Sequence, residues 1–291
     1  MNLKEIYSKK DVRHNGIFEW VKPKISFEIF QPKDNIDKLL EEVKILKKHN
    51  PEFISITSNT ESQNTNSLDL LKILINDLQL SIMPHLTCIN NSKIQIQEKL
   101  KSIETLGINK ILALRGDEPE NGERTYFDFH YANELVSFIK EHTNLSIGVA
   151  GYPEGHIQAP DLYTDIDNLK KKVDAGADAI FTQLFFNNDK FFSYIQLVRD
   201  AGIEVPIIAG IMPIIGYKQI TKMINLAKIS VPKTLLDKIE KYKDNSQSLI
   251  DLGIDFASYQ CQQLIDAEVA GLHFFTLNKA ESSNRILENI L

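Results

Sequence analysis

The sequence predicts an α/β fold, a single (β/α)8 TIM barrel with extra helices between strands seven and eight. Three observations predict it. Short apolar runs alternate with longer amphipathic stretches eight times along the 291 residues. The runs are hydrophobic almost throughout, as are the strands of a parallel sheet covered on both faces. The first seven recur at the spacing that strand, loop, helix and loop require, about 30 residues per unit. Serial βα units with right-handed crossovers form either an open doubly wound sheet or a barrel, and this regular spacing favours the barrel.

In chain order the strands are KISFEIF (24–30), FISIT (53–57), LSIMPHLT (80–87), KILALRG (110–116), LSIGVAGYP (145–153), AIFTQLFF (179–186), VPIIAGIMP (205–213) and GLHFFTL (271–277). Each is rich in Ile, Val, Leu or Phe and bounded by Gly, Pro, Asn or charged residues. Residues 36–49 put Ile36, Leu39, Leu40, Val43 and Leu46 on one helical face. Residues 91–107 begin with cap-type residues and stop at Gly107, and residues 165–177 open with Asp165 and end near Gly176. The interval from Ile211 to His273 is about twice the others. It holds YKQITKMINLAKI, PKTLLDKIEKY and an amphipathic run from Ser246 to Asp266, read as an insertion and not a second domain. No Gly/Ser linker splits the chain, so residues 1–291 read as one domain, with about the first 20 an N-terminal extension.

Composition narrows the function. With 43% hydrophobic and 25% charged residues the chain is globular. Its formal charge of -6, from 39 acidic and 33 basic side chains, argues against nucleic acid or an anionic membrane as partner. Cys88 and Cys261 are far apart and lack a CxxC partner, so no disulfide framework or zinc site is expected and a reducing compartment is. The start has no apolar core of a secretory signal, and no stretch approaches the roughly 18 apolar residues of a membrane span. The expectation is a soluble, cytoplasmic protein.

In a barrel the active site lies at the C-terminal ends of the strands. Polar residues there form a list: Glu28 within the first strand, Thr57, His85 and Thr87, Arg115-Gly116-Asp117, Tyr152-Pro153-Glu154 with His156 beyond, Gln183, Met212-Pro213 and Asn278-Lys279. Strand ends also turn polar merely by meeting solvent, an explanation weakest for Glu28 and Gln183, which stand among Phe, Ile and Leu. A carboxylate in apolar surroundings holds its proton to higher pH, which makes Glu28 a general-acid candidate; a buried salt bridge is the alternative. Arg115-Gly116-Asp117 reads as a tight turn, as an ion pair, or as a place where glycine lets a flat ligand approach while Asp117 faces a developing cation. Asp165, Asn168 and Lys172 share one helix face, either solvated or in contact with phosphate or ribose. His85 and His156 lack a third ligand at usable spacing, so no metal site is expected. No Rossmann fingerprint, P-loop, nucleophile elbow or HExxH motif is present.

Eight of these segments, SFEIFQP (26–32), PHLTC (84–88), ALRGD (113–117), AGYPEGH (150–156), NLKKKVDAGAD (168–178), TQLFF (182–186), GIMPI (210–214) and HFFTLN (273–278), stand in an order that resembles the methylenetetrahydrofolate reductase family, short bacterial type. The resemblance runs from about Ile25 to the C-terminus. It implies a barrel that binds FAD and reduces 5,10-methylenetetrahydrofolate to 5-methyltetrahydrofolate, feeding methionine synthesis. NADH or NADPH would first reduce the flavin and leave, and the folate would then take the hydride at the same site. By resemblance Glu28 is the general acid that promotes opening of the folate ring to an iminium ion, and Asp117 stabilises that cation. FAD contacts fall on Thr57, His85, Arg115, Gly116, Asp117, Tyr131, Ala132, Ala150, Tyr152, His156, Asp165, Asn168, Lys171 and Lys172. Substrate contacts fall on Gln183, Tyr217, Phe275 and Lys279. A homo-oligomer is implied as well.

The chain departs from the family pattern in four places. Lys279 stands where arginine is usual, keeping the charge but losing the bidentate fork. Tyr217 replaces a phenylalanine and Phe275 a tyrosine. Ser58-Asn59-Thr60 replaces the usual aromatic-glycine turn after Thr57. A C-terminal regulatory domain that senses S-adenosylmethionine in longer relatives is expected to be absent. The competing readings are another barrel flavoenzyme, such as one oxidising proline, and a non-catalytic folate- or flavin-binding homologue.

Overall fold

The computed structural model describes residues 1–7, 13–14, 17–18, 23–32, 35–57, 66–118 and 128–291. A short helix α1 (Leu3–Tyr7) is followed by an antiparallel pair, β1 (Arg13–His14) and β2 (Ile17–Phe18). The barrel units are then β3 (Lys24–Phe30) with α2 (Ile36–Lys47), β4 (Phe53–Thr57) with α3 (Asn66–Lys72), which runs into a π-helical turn (Ile73–Asp77), and β5 (Ile82–Thr87) with α4 (Lys93–Thr105). Next come β6 (Lys110–Leu114) with α5 (Ala132–His142), β7 (Ser146–Gly151) with α6 (Leu162–Asp174), and β8 (Ala179–Thr182) with α7 (Asn188–Asp200). The strand β9 (Ile207–Ile211) precedes three helices, α8 (Tyr217–Ala227), α9 (Lys233–Lys241) and α10 (Ser246–Asp266), and the chain ends with β10 (Gly271–Phe275) and α11 (Ala280–Ile290). The eight strands β3 to β10 pair in parallel and close, β10 lying between β9 and β3. The expected barrel and its helical insertion are both present.

Strand periodicity decides which side chains face the barrel axis. Phe27 and Ile29 join the main core beneath the helices, with Ile54, Ile56, Ile111 and Val149. The intervening Ser26 and Glu28 therefore point inward. Phe53, Met83, Leu112, Phe181 and Ile208 fill the barrel interior and pack on Leu3, Ile6 and Tyr7 of α1. The start of the expected N-terminal extension is thus a plug in the N-terminal end of the barrel. Leu3 N donates to Ser146 Oγ at 3.0 Å. Gly271 makes room for the plug, since a Cβ there would meet Tyr7 Cε1 at 2.6 Å. Burying each of the three plug side chains contributes about 1.5–3 kcal/mol.

Two details differ from the sequence reading. The helix expected to open at Asp165 begins a turn earlier: Asp161 is the N-cap and accepts from Thr164 N at 2.7 Å. Both aspartates are cap-type residues, and the earlier one takes the role, which leaves Asp165 inside the first turn and buried. The apolar runs also outlast the ladders. Leu184, Phe185 and Phe186 are buried beyond the end of β8, because hydrophobicity reports burial and not strand pairing. No helix among the described residues is long and apolar enough to cross a membrane.

Candidate active site

Two adjoining clefts open at the C-terminal end of the strands. The larger, about 520 Å³, lies between the segments that follow β6 and β7. The smaller, about 210 Å³, lies beside it under the end of α8. Arg115, Tyr152, His156 and Gln158 line both. Of the residues assigned by resemblance to FAD, Arg115, Tyr131, Ala132, Ala150, Tyr152, His156, Asp165, Asn168, Lys171 and Lys172 line the larger cleft. Asp117 and Gln183 line the smaller one.

Local structure explains this convergence. Gly116 has φ +88 and sits against Thr87 and Ile89, where a Cβ would meet Ile89 Cγ2 at 2.7 Å. Glycine lets the chain turn there and sends Arg115 and Asp117 to the mouth. In α6 the early start places Asp165, Asn168 and Lys172 along the cleft wall. Lys172 Nζ donates to Ala150 O at 2.6 Å and lies 5.9 Å from the centre of the Tyr152 ring. Burial pushes its ammonium down to about 8, opposed by the Asp165 charge, so it stays a cation at neutral pH. Burial raises the Asp165 carboxyl, with Lys172 pulling the other way. Lys171 Nζ donates to Asn168 Oδ1 at 3.0 Å on the exposed side.

His156 carries its tautomer in its contacts. Its Nδ1 accepts from Gln158 N at 3.2 Å, so the proton of the neutral ring sits on Nε2. Burial, then Arg115 and Lys172, hold its pKa below the ordinary histidine value. The wall is therefore a set of cations, Arg115, Lys171 and Lys172, beside a neutral N–H donor, a combination suited to phosphate oxygens.

Glu28 lies deeper, 8% exposed, and lines neither cleft. Burial alone pushes its carboxyl up to about 8, so it holds its proton at neutral pH. His85 Nε2 stands 3.5 Å from Glu28 Oε2. Burial pushes that imidazole down to about 3, so burial favours the neutral form of both partners. Among the described residues, neither His85 Nε2 nor Thr57 Oγ1 has a hydrogen-bond partner, though both atoms are buried. Two orphaned polar atoms at the mouth of a barrel, on residues assigned by resemblance to FAD, fit a ligand that supplies the missing partners.

The remaining expectations are met unevenly. Gln183 is half-buried, and its Oε1 accepts from Leu184 N at 3.0 Å. Phe275 is the register partner of Glu28, with its ring 5.6 Å from that of His273. Tyr217 and Lys279 line neither cleft; Tyr217 Oη donates to Glu240 Oε2 at 2.8 Å, and Lys279 is the N-cap residue of α11. The Ser58-Asn59-Thr60 departure lies outside the described residues. Among the described residues no group of three or more His, Cys, Asp or Glu is gathered to hold a metal ion. Glu154 stood among the polar strand ends in the sequence, but its partners did not. Glu154 accepts from Lys190 Nζ at 2.6 Å and from Ser230 N at 3.1 Å. It ties the segment between α8 and α9 to the barrel mouth, where Leu226, Ala227 and Ile229 wall the smaller cleft. No local pattern announces a contact across 76 residues.

A family model described as methylenetetrahydrofolate reductase matches residues 14–291. The chain is 34% identical over 278 residues to 5,10-methylenetetrahydrofolate reductase of Buchnera aphidicola subsp. Baizongia pistaciae, covering 92% of each chain. It is 32% identical over 269 residues to the protein of the same name from Pectobacterium carotovorum subsp. carotovorum, covering 91% of this chain and 89% of that one. It is 36% identical over 282 residues to methylenetetrahydrofolate reductase (NADH) 1 of Arabidopsis thaliana, covering 91% of this chain and 48% of the plant protein. The chain spans about half the length of that relative and of its yeast counterpart. A solved structure from Clostridium thermocellum, described as an uncharacterised protein that binds two copies of 5-methyl-5,6,7,8-tetrahydrofolic acid, superposes with a TM-score of 0.64 at 12% identity, covering 92% of this chain and 94% of that one. At that identity the likeness is one of fold.

Proposed function

Because the chain belongs to the methylenetetrahydrofolate reductase family, we propose that it reduces 5,10-methylenetetrahydrofolate to 5-methyltetrahydrofolate with NADH or NADPH through a bound FAD. The observation that carries the proposal is a buried carboxyl, Glu28, facing the barrel interior 3.5 Å from His85, at the end of the barrel where a cation-lined cleft opens. The Clostridium protein of like fold, which binds a methylated folate, supports the substrate class. A bound FAD would supply the hydride chemistry between the reduced nicotinamide and the folate.

The residues divide the work. Lys171, Lys172 and Arg115 would meet the charge of the pyrophosphate, and His156 Nε2–H would donate a hydrogen bond to the same group. Tyr131, Ala132, Ala150, Tyr152, Asp165 and Asn168 line the same cleft, with Gly116 permitting close approach. Thr57 and His85 offer the ring system polar partners. Glu28 donates its proton to the folate so that the five-membered ring opens, and Asp117 stabilises the iminium cation that results. Gln183 and Phe275 border the space shared in turn by nicotinamide and folate. Tyr217 and Lys279 stand at the N-termini of α8 and α11, which open at the same end of the barrel, and contact the outer parts of the substrates. The same reading takes residues 1–291 as one catalytic domain acting in the cytoplasm as a homo-oligomer.

The test is the visible spectrum of the purified protein under anaerobic conditions. The expected result is a flavin spectrum that bleaches with NADH or NADPH and returns when methylenetetrahydrofolate is added. Bleaching without return would replace the folate by another substrate of a flavin barrel. A protein that stays colourless after incubation with FAD would remove the proposed chemistry.

A further inference from the structure

The turn that follows β10 makes an unusual set of contacts to the strand that carries Glu28. Phe275 is the last residue of β10 in register, opposite Glu28. Beyond it the ladder is continued by side chains. Thr276 donates to Glu28 O twice, from its backbone N at 3.2 Å and from Oγ1 at 2.6 Å. Asn278 pairs with both backbone groups of Phe30: its Oδ1 accepts from Phe30 N at 2.7 Å and its Nδ2 donates to Phe30 O at 2.9 Å. Asn278 N donates back to Thr276 Oγ1 at 3.2 Å, which joins the two side chains into one unit.

The backbone is bent to achieve this. Leu277 and Asn278 both lie in the left-handed region, at φ 53 and φ 56. Asparagine tolerates that region, but a leucine there is strained. Such local strain persists only where surrounding contacts over-determine it, and it gathers at functional sites. The next residue, Lys279, caps α11 and donates its backbone N to Thr276 O at 3.0 Å.

We propose that Asn278 and Thr276 are positioning residues that hold the end of β3, and with it the Glu28 side chain, at a fixed depth in the barrel mouth. The inference rests on the reading of Glu28 as the proton donor. Asn278 acts as a substitute strand: its amide supplies one donor and one acceptor where β10 has already turned away. With the clamp in place the Glu28 carboxyl is kept from water. Among the described residues, the titratable groups on the elements beside it are His85 from β5 and His273 from β10, both pushed toward the neutral form by burial, while β4 brings the uncharged Ser55 and Thr57. Loosening the clamp admits water, and the carboxyl moves from about 8 toward the ordinary 4.5.

The test is infrared titration of the purified protein, reading the protonated-carboxyl band that Glu28→Gln removes. Asn278→Gly is the first variant, because glycine accepts the positive φ and deletes only the clamp. Thr276→Val deletes the hydroxyl at nearly constant volume, and Thr276→Ser retains it. The expected result is a midpoint lowered by about one pH unit or more in Asn278→Gly, lowered less in Thr276→Val, and unmoved in Thr276→Ser. In the flavin-loaded enzyme, reduction by nicotinamide should stay within about twofold while the folate step falls about tenfold. An unmoved midpoint in Asn278→Gly and Thr276→Val overturns the proposal, as does a wild-type midpoint at the ordinary carboxyl value. A wild type that fails to reduce folate, with midpoints that shift as stated, sinks the proposed reaction and leaves the clamp standing.

Discussion

At the N-terminal end of the barrel, Lys110 and Asp178 are buried and answered; at the C-terminal end, His85 Nε2 and Thr57 Oγ1 are buried atoms without a hydrogen-bond partner among the described residues, beside the buried Glu28. Lys110 Nζ donates to Ser81 Oγ at 2.7 Å and to Asn109 Oδ1 at 2.9 Å. Asp178 Oδ2 accepts from Ile147 N at 2.8 Å and Ser146 Oγ at 3.0 Å, with Lys4 3.3 Å from its other oxygen. Around Glu28 the described protein offers a neutral imidazole at 3.5 Å. Burying a polar group is costly unless a partner restores its hydrogen bonds. A set of answered groups under a hydrophobic plug therefore reads as stability. Unanswered groups at an open mouth read as a site that a ligand completes.

The contrast is broken most directly at Glu28. Glu28→Gln keeps shape and hydrogen-bonding capacity but removes the transferable proton. The folate half-reaction should fall roughly 10²–10⁴-fold, while reduction of the flavin by NADH or NADPH stays near wild type. Stopped-flow absorbance reads the two steps separately, and full-rate folate reduction in the variant would end the general-acid assignment. At the opposite end, Asp178→Ala should behave in reverse. It strands Ile147 N and Ser146 Oγ, and Ser146 also accepts from Leu3 of the plug. The expected loss is about 3 kcal/mol of stability with kinetic constants unchanged below the melting range. Urea unfolding and an assay in the cold check both halves, and a catalytic defect without destabilisation would erase the division between the two ends.

The pH dependence sharpens the same comparison. Glu28 is raised in the fold to about 8 from an ordinary 4.5, so its stabilising effect is complete below 4.5 and is lost as pH rises through about 8. His85 and His273 are lowered to about 3 from 6.5, so their effect runs the other way, present above 6.5 and lost as pH falls toward 3. Between pH 6.5 and 8 Glu28 is the changing member of the three, at about 1.4 kcal/mol per pH unit. Glu28→Gln has no such loss. Its stability relative to wild type should rise from pH 6 to pH 8 in urea titrations, and a constant difference would mean that the carboxyl is not held neutral.

The legible part of this molecule was what local pattern encodes. Five- to seven-residue apolar runs gave β3, β4 and β10 with their observed starts. Glu28 stood out because a carboxylate interrupts the most apolar part of such a run. The period of two then turned it inward without any knowledge of its neighbours. Contacts between distant segments were not legible. The approach of His85 to Glu28, the α1 plug and the Asn278 pairing with Phe30 arise only when the sheet closes, since nothing in SFEIF or TLN alone specifies the other. The misplaced start of α6 has a different cause, two cap-type aspartates four residues apart with no local rule to choose between them.

Glu154 offers the smallest effect and the finest test of how the mouth is built. Its carboxylate binds Lys190 at the start of α7 and the backbone of Ser230, so one side chain joins three segments around the smaller cleft. Glu154→Gln keeps an acceptor for Ser230 N and removes the charge that meets Lys190, whose own side chain is 46% exposed. Solvent screening limits such a pair to about 0.2–1 kcal/mol. If the wall carrying Leu226 and Ile229 shapes the space that nicotinamide and folate share, the variant should raise KM for both by about two- to fivefold and leave kcat alone. A change in one KM only would mean that the two substrates lean on different walls, and the smaller cleft would then belong to one of them.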